Sequence, residues 1–195
     1  SEMCIRDSFY ISYYDTNIGT HNVVYTDIEN TDNYDHIYQS DLCGWVGQLG
    51  YNKDSIYGAN VFTAEGNETL KAASFYATGK DSQYELYVVR QFEDETSLEK
   101  MIPVASGKLG NAGYYTVDFN QGIEVDAGER YAVVLYIITP GSVHPMAIEY
   151  AADEATENVD LDDGESYISA NGSKWVSVDT VEKSNLCIKA FSDNR

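Results

Sequence analysis

Positive charge is what this chain has least of for its size. Twelve Lys and Arg stand against 32 Asp and Glu, a formal net charge of −20, and so acidic a surface repels phosphate backbones and anionic lipid headgroups alike. Nucleic acid is excluded as a partner. Long apolar runs are also missing: the longest covers residues 131–139, far short of the ~20 residues a membrane-spanning helix needs. No membrane insertion is expected. Sustained helical periodicity is absent too, and His21, His36 and His144 are scattered without the spacing of a zinc-ligand set.

What is present is a globular composition. Hydrophobic residues make up 43% of 195, which argues against disorder and suits one domain of sandwich size plus some extra. Seventeen tyrosines fit both β-sandwich cores and sugar-binding faces, and composition does not choose between them.

Residues 59–89 organise the rest. Three apolar runs are separated by Glu65-Gly66-Asn67 and Gly79-Lys80-Asp81, residues that accept the positive φ of tight turns. In the middle run Leu70, Ala72, Ser74 and Tyr76 alternate with Lys71, Ala73 and Phe75. In the third, Tyr84, Leu86 and Val88 alternate with Glu85, Tyr87 and Val89. This period of two predicts strands, read here as a β-meander. Downstream, residues 101–108 form a short strand with Pro103 at its start or edge, and Tyr115, Val117 and Phe119 share one face of the next. The nearly continuous apolar run at 130–139 predicts a central strand buried on both sides. Asn171-Gly172 predicts a hairpin. About ten short strands with no helix give an all-β fold, a two-sheet β-sandwich of jelly-roll type.

The strings NVFTAEGNETLKAASFY, GYYTVDFN, TPGSVHPMAIEY, GESYISANGSKW and NLCIKAF resemble the lectin-like domain found C-terminal to papain-like cysteine peptidases of gut Firmicutes. The resemblance runs from residue 33 to 192 and implies a non-catalytic accessory domain that binds glycan or cell-wall material. Residues 9–15, FYISYYD, resemble the last strand of the upstream peptidase domain, although an ordinary amphipathic strand reads the same way. Residues 16–32 have a linker's composition. Residues 1–8, SEMCIRDS, resemble a translated transposon end from sequencing-library preparation. They are expected to be an adapter-like artefact on a metagenomic fragment, which removes Cys4 from consideration and places natural sequence upstream.

Several groups invite a chemical reading. Cys43 with His144 is the tempting nucleophile and base, but Cys43 precedes no segment that starts a helix, and His144 is wedged before Pro145. In the family resembled, the catalytic residues belong to the upstream domain. Cys43 and Cys187 either pair in an oxidising compartment or are separate thiols, Cys187 being flanked by Leu186 and Ile188. The acidic loop at 151–165 offers Asp160, Asp162 and Asp163 as oxygen ligands for Ca²⁺, against the plainer reading of a solvated loop. No other cofactor is implied. Trp45, Tyr51 and Tyr57 beside Asn52 and Asp54 combine aromatic faces with polar side chains in one glycine-rich stretch, the mixture a carbohydrate site needs. Trp175 is a second candidate.

The resemblance makes the chain an extracellular or cell-surface domain attached to a peptidase, with glycan or cell wall as partner. The alternative is a structural spacer that positions or stabilises the peptidase, which would show a large apolar face near its N-terminal end.

Overall fold

The computed structural model describes Tyr14, Val24, Tyr25, Asn30 and residues 32–195, apart from 155, 163 and 179–182. The expectations for residues 1–8, 9–15 and most of 16–32 lie outside the described residues. The chain forms two compact units, Ser1–Asn33 and Tyr34–Arg195. In the first, Tyr14, Val24 and Tyr25 are exposed.

The second unit is all-β. Among the described residues its strands are β1 (His36–Tyr38), β2 (Gly47–Leu49), β3 (Ser55–Thr63), β4 (Glu68–Ala77), β5 (Ser82–Val89), β6 (Ile102–Leu109), β7 (Gly113–Val125), β8 (Arg130–Ile138), β9 (Met146–Glu149), β10 (Glu165–Ser169), β11 (Val176–Ser177), β12 (Asn185–Leu186) and β13 (Ile188–Asn194), with a 3-10 turn at Glu95–Glu99. A four-stranded sheet runs β1-β13-β4-β7 and a six-stranded sheet β11-β10-β3-β8-β5-β6. A small sheet, β12-β9-β2, was not anticipated.

The core lies between the two large sheets. Phe75, Leu70 and Ile188 from one meet Ile56, Leu86, Val133, Leu135 and Ile137 from the other, all at most 1% exposed. Each such side chain contributes roughly 1.5–3 kcal/mol on burial. Strand β8 is central as expected, between β3 and β5, and Pro103 sits in the edge strand β6, the place in a sheet where proline is tolerated. The hairpin at Asn171-Gly172 pairs β10 with β11.

Two expectations fail for physical reasons. The run from β3 to β5 is not a meander, because β3 pairs with β8 and β10 while β4 belongs to the other sheet. Residues such as Gly66 reverse the chain equally well within a sheet or between sheets, so turn chemistry does not choose the partner. The alternation in β4 also breaks. Against β13, where the adjacent Phe191 and Ser192 pair with Ala72 and Leu70, Lys71 is an extra residue, and against β7 the register shifts at the same place, so Leu70 joins Ala73 and Phe75 in the core rather than sharing a face with Ala72 and Ser74.

A buried carboxylate closes one end of this core. Glu68, fully buried, accepts hydrogen bonds from Tyr38 Oη at 2.8 and 2.9 Å, Ser192 Oγ at 2.5 Å and Gly66 N at 2.8 Å. Burial pushes its pKa up, but these donors outweigh burial and hold it below the ordinary carboxylate value. The cluster ties β1 and β13 to β4.

Candidate functional site

Period-two alternation divides β3, β5 and β8 between two environments. Ile56, Leu86, Val133 and Leu135 face the core, whereas Tyr57, Ala59, Val61, Tyr87, Val89, Ala132 and Val134 form a second apolar cluster on the outer face of the six-stranded sheet. The β5 to β6 connection covers half of that face. Phe92, Leu98 and Met101 pack onto Val61, Val89, Ala132 and Val134. The 3-10 turn that presents Leu98 is capped by Asp94, whose Oδ1 accepts from Thr96 N at 2.9 Å, and by Ser97, whose Oγ accepts from Glu93 N at 3.1 Å. Arg130 stacks over Phe92 at 4.9 Å and pairs with Glu165.

The other half of the face is open. Strand register lines up Ser106, Glu85, Tyr136, Tyr57 and Ser169 across five strands. The rings of Tyr57 and Tyr136 stack at 4.2 Å with a 21° interplanar angle, and Trp175 meets Tyr57 edge-on at 6.2 Å. Behind Tyr57 stands the hairpin turn. Gly172 has φ +75°, and a Cβ there would lie 3.2–3.4 Å from the phenol ring; only glycine allows both the conformation and the approach. Gly172 N donates to Ser169 Oγ at 3.0 Å.

Tyr136 opens onto a shallow depression of about 370 Å³ lined also by Gln83, Glu85, Ser106, Lys108 and Ile138. A second, of about 310 Å³, shares Glu85 and Ser106 and runs on to Tyr87, Pro103 and Asn120. The second lies where the register of β5 and β6 shifts between Leu86 and Tyr87, a bulge that puts both Val104 and Ala105 in the core and bends the edge strand. Burial, then Tyr136 and Glu85, pushes the Tyr57 pKa up, and burial with Glu85 does the same to Tyr87. Both hydroxyls therefore remain donors at neutral pH. Tyr87 Oη donates to Glu85.

The glycine-rich stretch read as one patch is divided by the fold. Tyr57 and Trp175 come together, but Trp45 packs against Tyr76 at 5.8 Å on the outer side of the four-stranded sheet. Tyr51 and Asn52 are exposed in a turn, with Asn52 at φ +56°. Asp54 contributes its carbonyl to Thr139 N at 2.7 Å. Sequence reasoning missed Tyr136 and Glu85. The signal for Tyr136 was its polar tip inside an apolar run: β8 is buried on its core side, while its outer side is half-open at Tyr136 and Ile138.

The groups weighed for catalysis and metal binding fall elsewhere. Cys43 is exposed, Cys187 is buried, and both are free thiols. Burial first, then Glu149, raises the Cys43 pKa; burial, then Asp41 and Glu149, raises that of Cys187. Neither environment makes a thiolate. Asp41 and Glu149 are fully buried. Lys189 Nζ lies 3.4 Å from Asp41, and Asn185 Nδ2 donates to Glu149 at 3.0 Å, to Ser40 O at 2.9 Å and to Asp160 O at 2.9 Å. Asp160 Oδ1 accepts from Asp162 N at 3.0 Å within a local turn, and Asp163 lies outside the described residues. Among the described residues no group of three or more His, Cys, Asp or Glu is arranged to hold a metal ion. No helix there is long and apolar enough to cross a membrane.

Comparison with known proteins agrees with this architecture. No curated protein matches the chain. Among solved structures, the clostridial cysteine protease Cwp84 after propeptide cleavage superposes with a TM-score of 0.68 at 24% identity, over 82% of this chain and 40% of that one. A second structure, of the cysteine protease and lectin-like domains of Cwp84, a surface layer associated protein of Clostridium difficile, gives 0.64 at 20% identity over 82% and 36%. The chain thus spans less than half the length of these neighbours, and the likeness is one of fold. The model of the lectin-like domain family matches residues 37–192, and the chain belongs to that family.

Proposed function

We propose that this lectin-like domain binds carbohydrate on the open half of its six-stranded sheet, as the accessory domain of a cell-surface cysteine peptidase. The observation that carries the reading is the near-parallel stack of Tyr57 and Tyr136, propped by Gly172 and Trp175 and facing a depression lined with polar side chains. A flat aromatic face takes the C–H side of a pyranose, and Gln83, Glu85 and Ser106 take its hydroxyls. In this arrangement Tyr57 and Trp175 are supports, and Tyr136 is the contact. The attachment to a peptidase and the surface location rest on the domain pairing and surface-layer association of Cwp84. The spacer reading has less support: among the described residues Ile37, Leu42 and Trp45 are the large apolar side chains exposed near the start of the second unit, three side chains of which Trp45 already packs against Tyr76.

The test is a glycan array with the wild type and Tyr136→Ala, alongside a thermal melt of each. Binding by the wild type that drops at least roughly tenfold in a folded Tyr136→Ala protein is the expected result. A wild type that binds no glycan, or a variant that binds as well as the wild type, removes this site.

A further inference from the structure

Glu85 stands at the wall common to the two depressions. It lies in register between Tyr136 on β8 and Ser106 on β6, is exposed, and takes one described hydrogen bond, from Tyr87. A sugar packed against Tyr136 carries its ring substituents over β5, one strand spacing of about 4.8 Å away, and the first charged group it meets there is this carboxylate. The nearby cation does not compensate for it. Lys108 lines the same depression but lies 3.7 Å from Asp81, so a second carboxylate shares its charge.

We infer that the site selects glycans bearing free amino groups, polymers of N-deacetylated hexosamine in particular, with Glu85 as the specificity-determining residue. The inference rests on the carbohydrate reading above. A hydroxyl donates to the Glu85 carboxylate as well, and that bond is already charge-assisted; an ammonium adds the Coulomb attraction between opposite charges. A sulfated or phosphorylated sugar meets repulsion at this position and from a chain of net charge −20. That overall charge draws any polycation toward the surface; it does not distinguish one acidic residue from another, whereas Glu85 beside Tyr136 does.

Calorimetric titration with a glucosamine hexamer, its fully N-acetylated counterpart and cellohexaose tests this in mildly acidic buffer, on the wild type, Glu85→Gln and Glu157→Gln. Glu157 is an exposed residue of the acidic loop and controls for general charge. The expected result is a preference of the wild type for the glucosamine hexamer over cellohexaose of up to about fivefold, erased in Glu85→Gln with cellohexaose binding retained, and intact in Glu157→Gln. Equal binding of the three sugars overturns the inference and leaves the carbohydrate reading standing. An equal loss in both variants also overturns it, by assigning the preference to the surface as a whole. A folded wild type that binds none of the three overturns both.

Discussion

On the outer side of the four-stranded sheet, Tyr76 and Tyr114 meet at 4.9 Å beneath Trp45; on the outer side of the six-stranded sheet, Tyr57 and Tyr136 meet at 4.2 Å with Trp175 at their edge. The composition is nearly the same, and the first group is the more exposed, with Trp45 at 37% and Tyr114 at 44%. What differs is ring orientation and what occupies the polar tips. Tyr76 is inclined 54° to Trp45 and 55° to Tyr114, against 21° between Tyr57 and Tyr136. In the stacked pair Tyr57 backs Tyr136, which lines the depression, and tilted rings give no such backing. Ser74 Oγ lies 2.5 Å from Tyr114 Oη, Lys189 Nζ donates to Gln39 Oε1 at 2.7 Å, and a Cβ at Gly44 would lie 3.0 Å from Tyr76 Oη. That face is knit together by its own side chains, whereas Glu85, Gln83 and Ser106 of the other remain exposed. Exposure alone is thus a poor guide to which aromatic group serves a ligand.

The largest effect that sharpens the contrast concerns Lys189. Removing its ammonium leaves the wholly buried Asp41 without its cation; burial already pushes the Asp41 pKa up against the pull of Lys189, so protonation relieves part of the about 3–5 kcal/mol that breaking a buried pair costs. Lys189→Met should show that loss in denaturant titration, while Glu85→Gln on the other face should fall within about 0.5 kcal/mol of the wild type. Equal losses from the two would mean that both faces are structural.

Next comes the exchange of roles between Tyr136 and Trp45. Tyr136→Ala should weaken glycan binding by about tenfold or more, some 1.4 kcal/mol. Trp45→Ala should cost about 1 kcal/mol of stability and leave binding as it was, because Trp45 rests on Tyr76 away from both depressions. If Trp45→Ala abolishes binding and Tyr136→Ala does not, the ligand belongs on the four-stranded sheet.

Strand positions were legible in the sequence because the sheets obey alternation almost everywhere. Leu86 and Val88 go to one cluster and Tyr87 and Val89 to the other, as the spacing indicates, and the many short strands without a helix pointed to the sandwich. Sheet membership was not legible. Gly66 turns the chain out of β3 whichever sheet β4 joins, and Lys71 breaks the alternation of β4 by a bulge that depends on β7 and β13. The candidate site was half legible for the same reason. Tyr57 and Trp175 stand out as aromatics near turns, but Tyr136 and Glu85 acquire meaning only once β8 and β5 are neighbours.

The smallest effect is a pH dependence, and it should belong to one face only. His36, on the edge strand β1 of the four-stranded sheet, lies 2.9 Å from Asn194 Oδ1, 3.4 Å from Glu65 and 4.0 Å from Glu68. The hydrogen bond with Asn194 raises its pKa most; burial opposes, and Glu68, Glu65 and Asp35 add to the rise. A histidine with a raised folded-state pKa contributes stability that is fully present below the unfolded value of about 6.5 and is lost as pH rises through the folded value. The side chain is 22% exposed and Glu65 73%, so screening limits the effect to less than about 1 kcal/mol. Thermal midpoints of the wild type and His36→Asn should therefore differ most in mildly acidic buffer and converge above neutrality. No histidine lines either depression, so binding of a neutral oligosaccharide should stay flat across the same window. A stability difference that grows with rising pH refutes the assigned sign, and a neutral-sugar affinity that follows the His36 titration would show that the two faces are coupled.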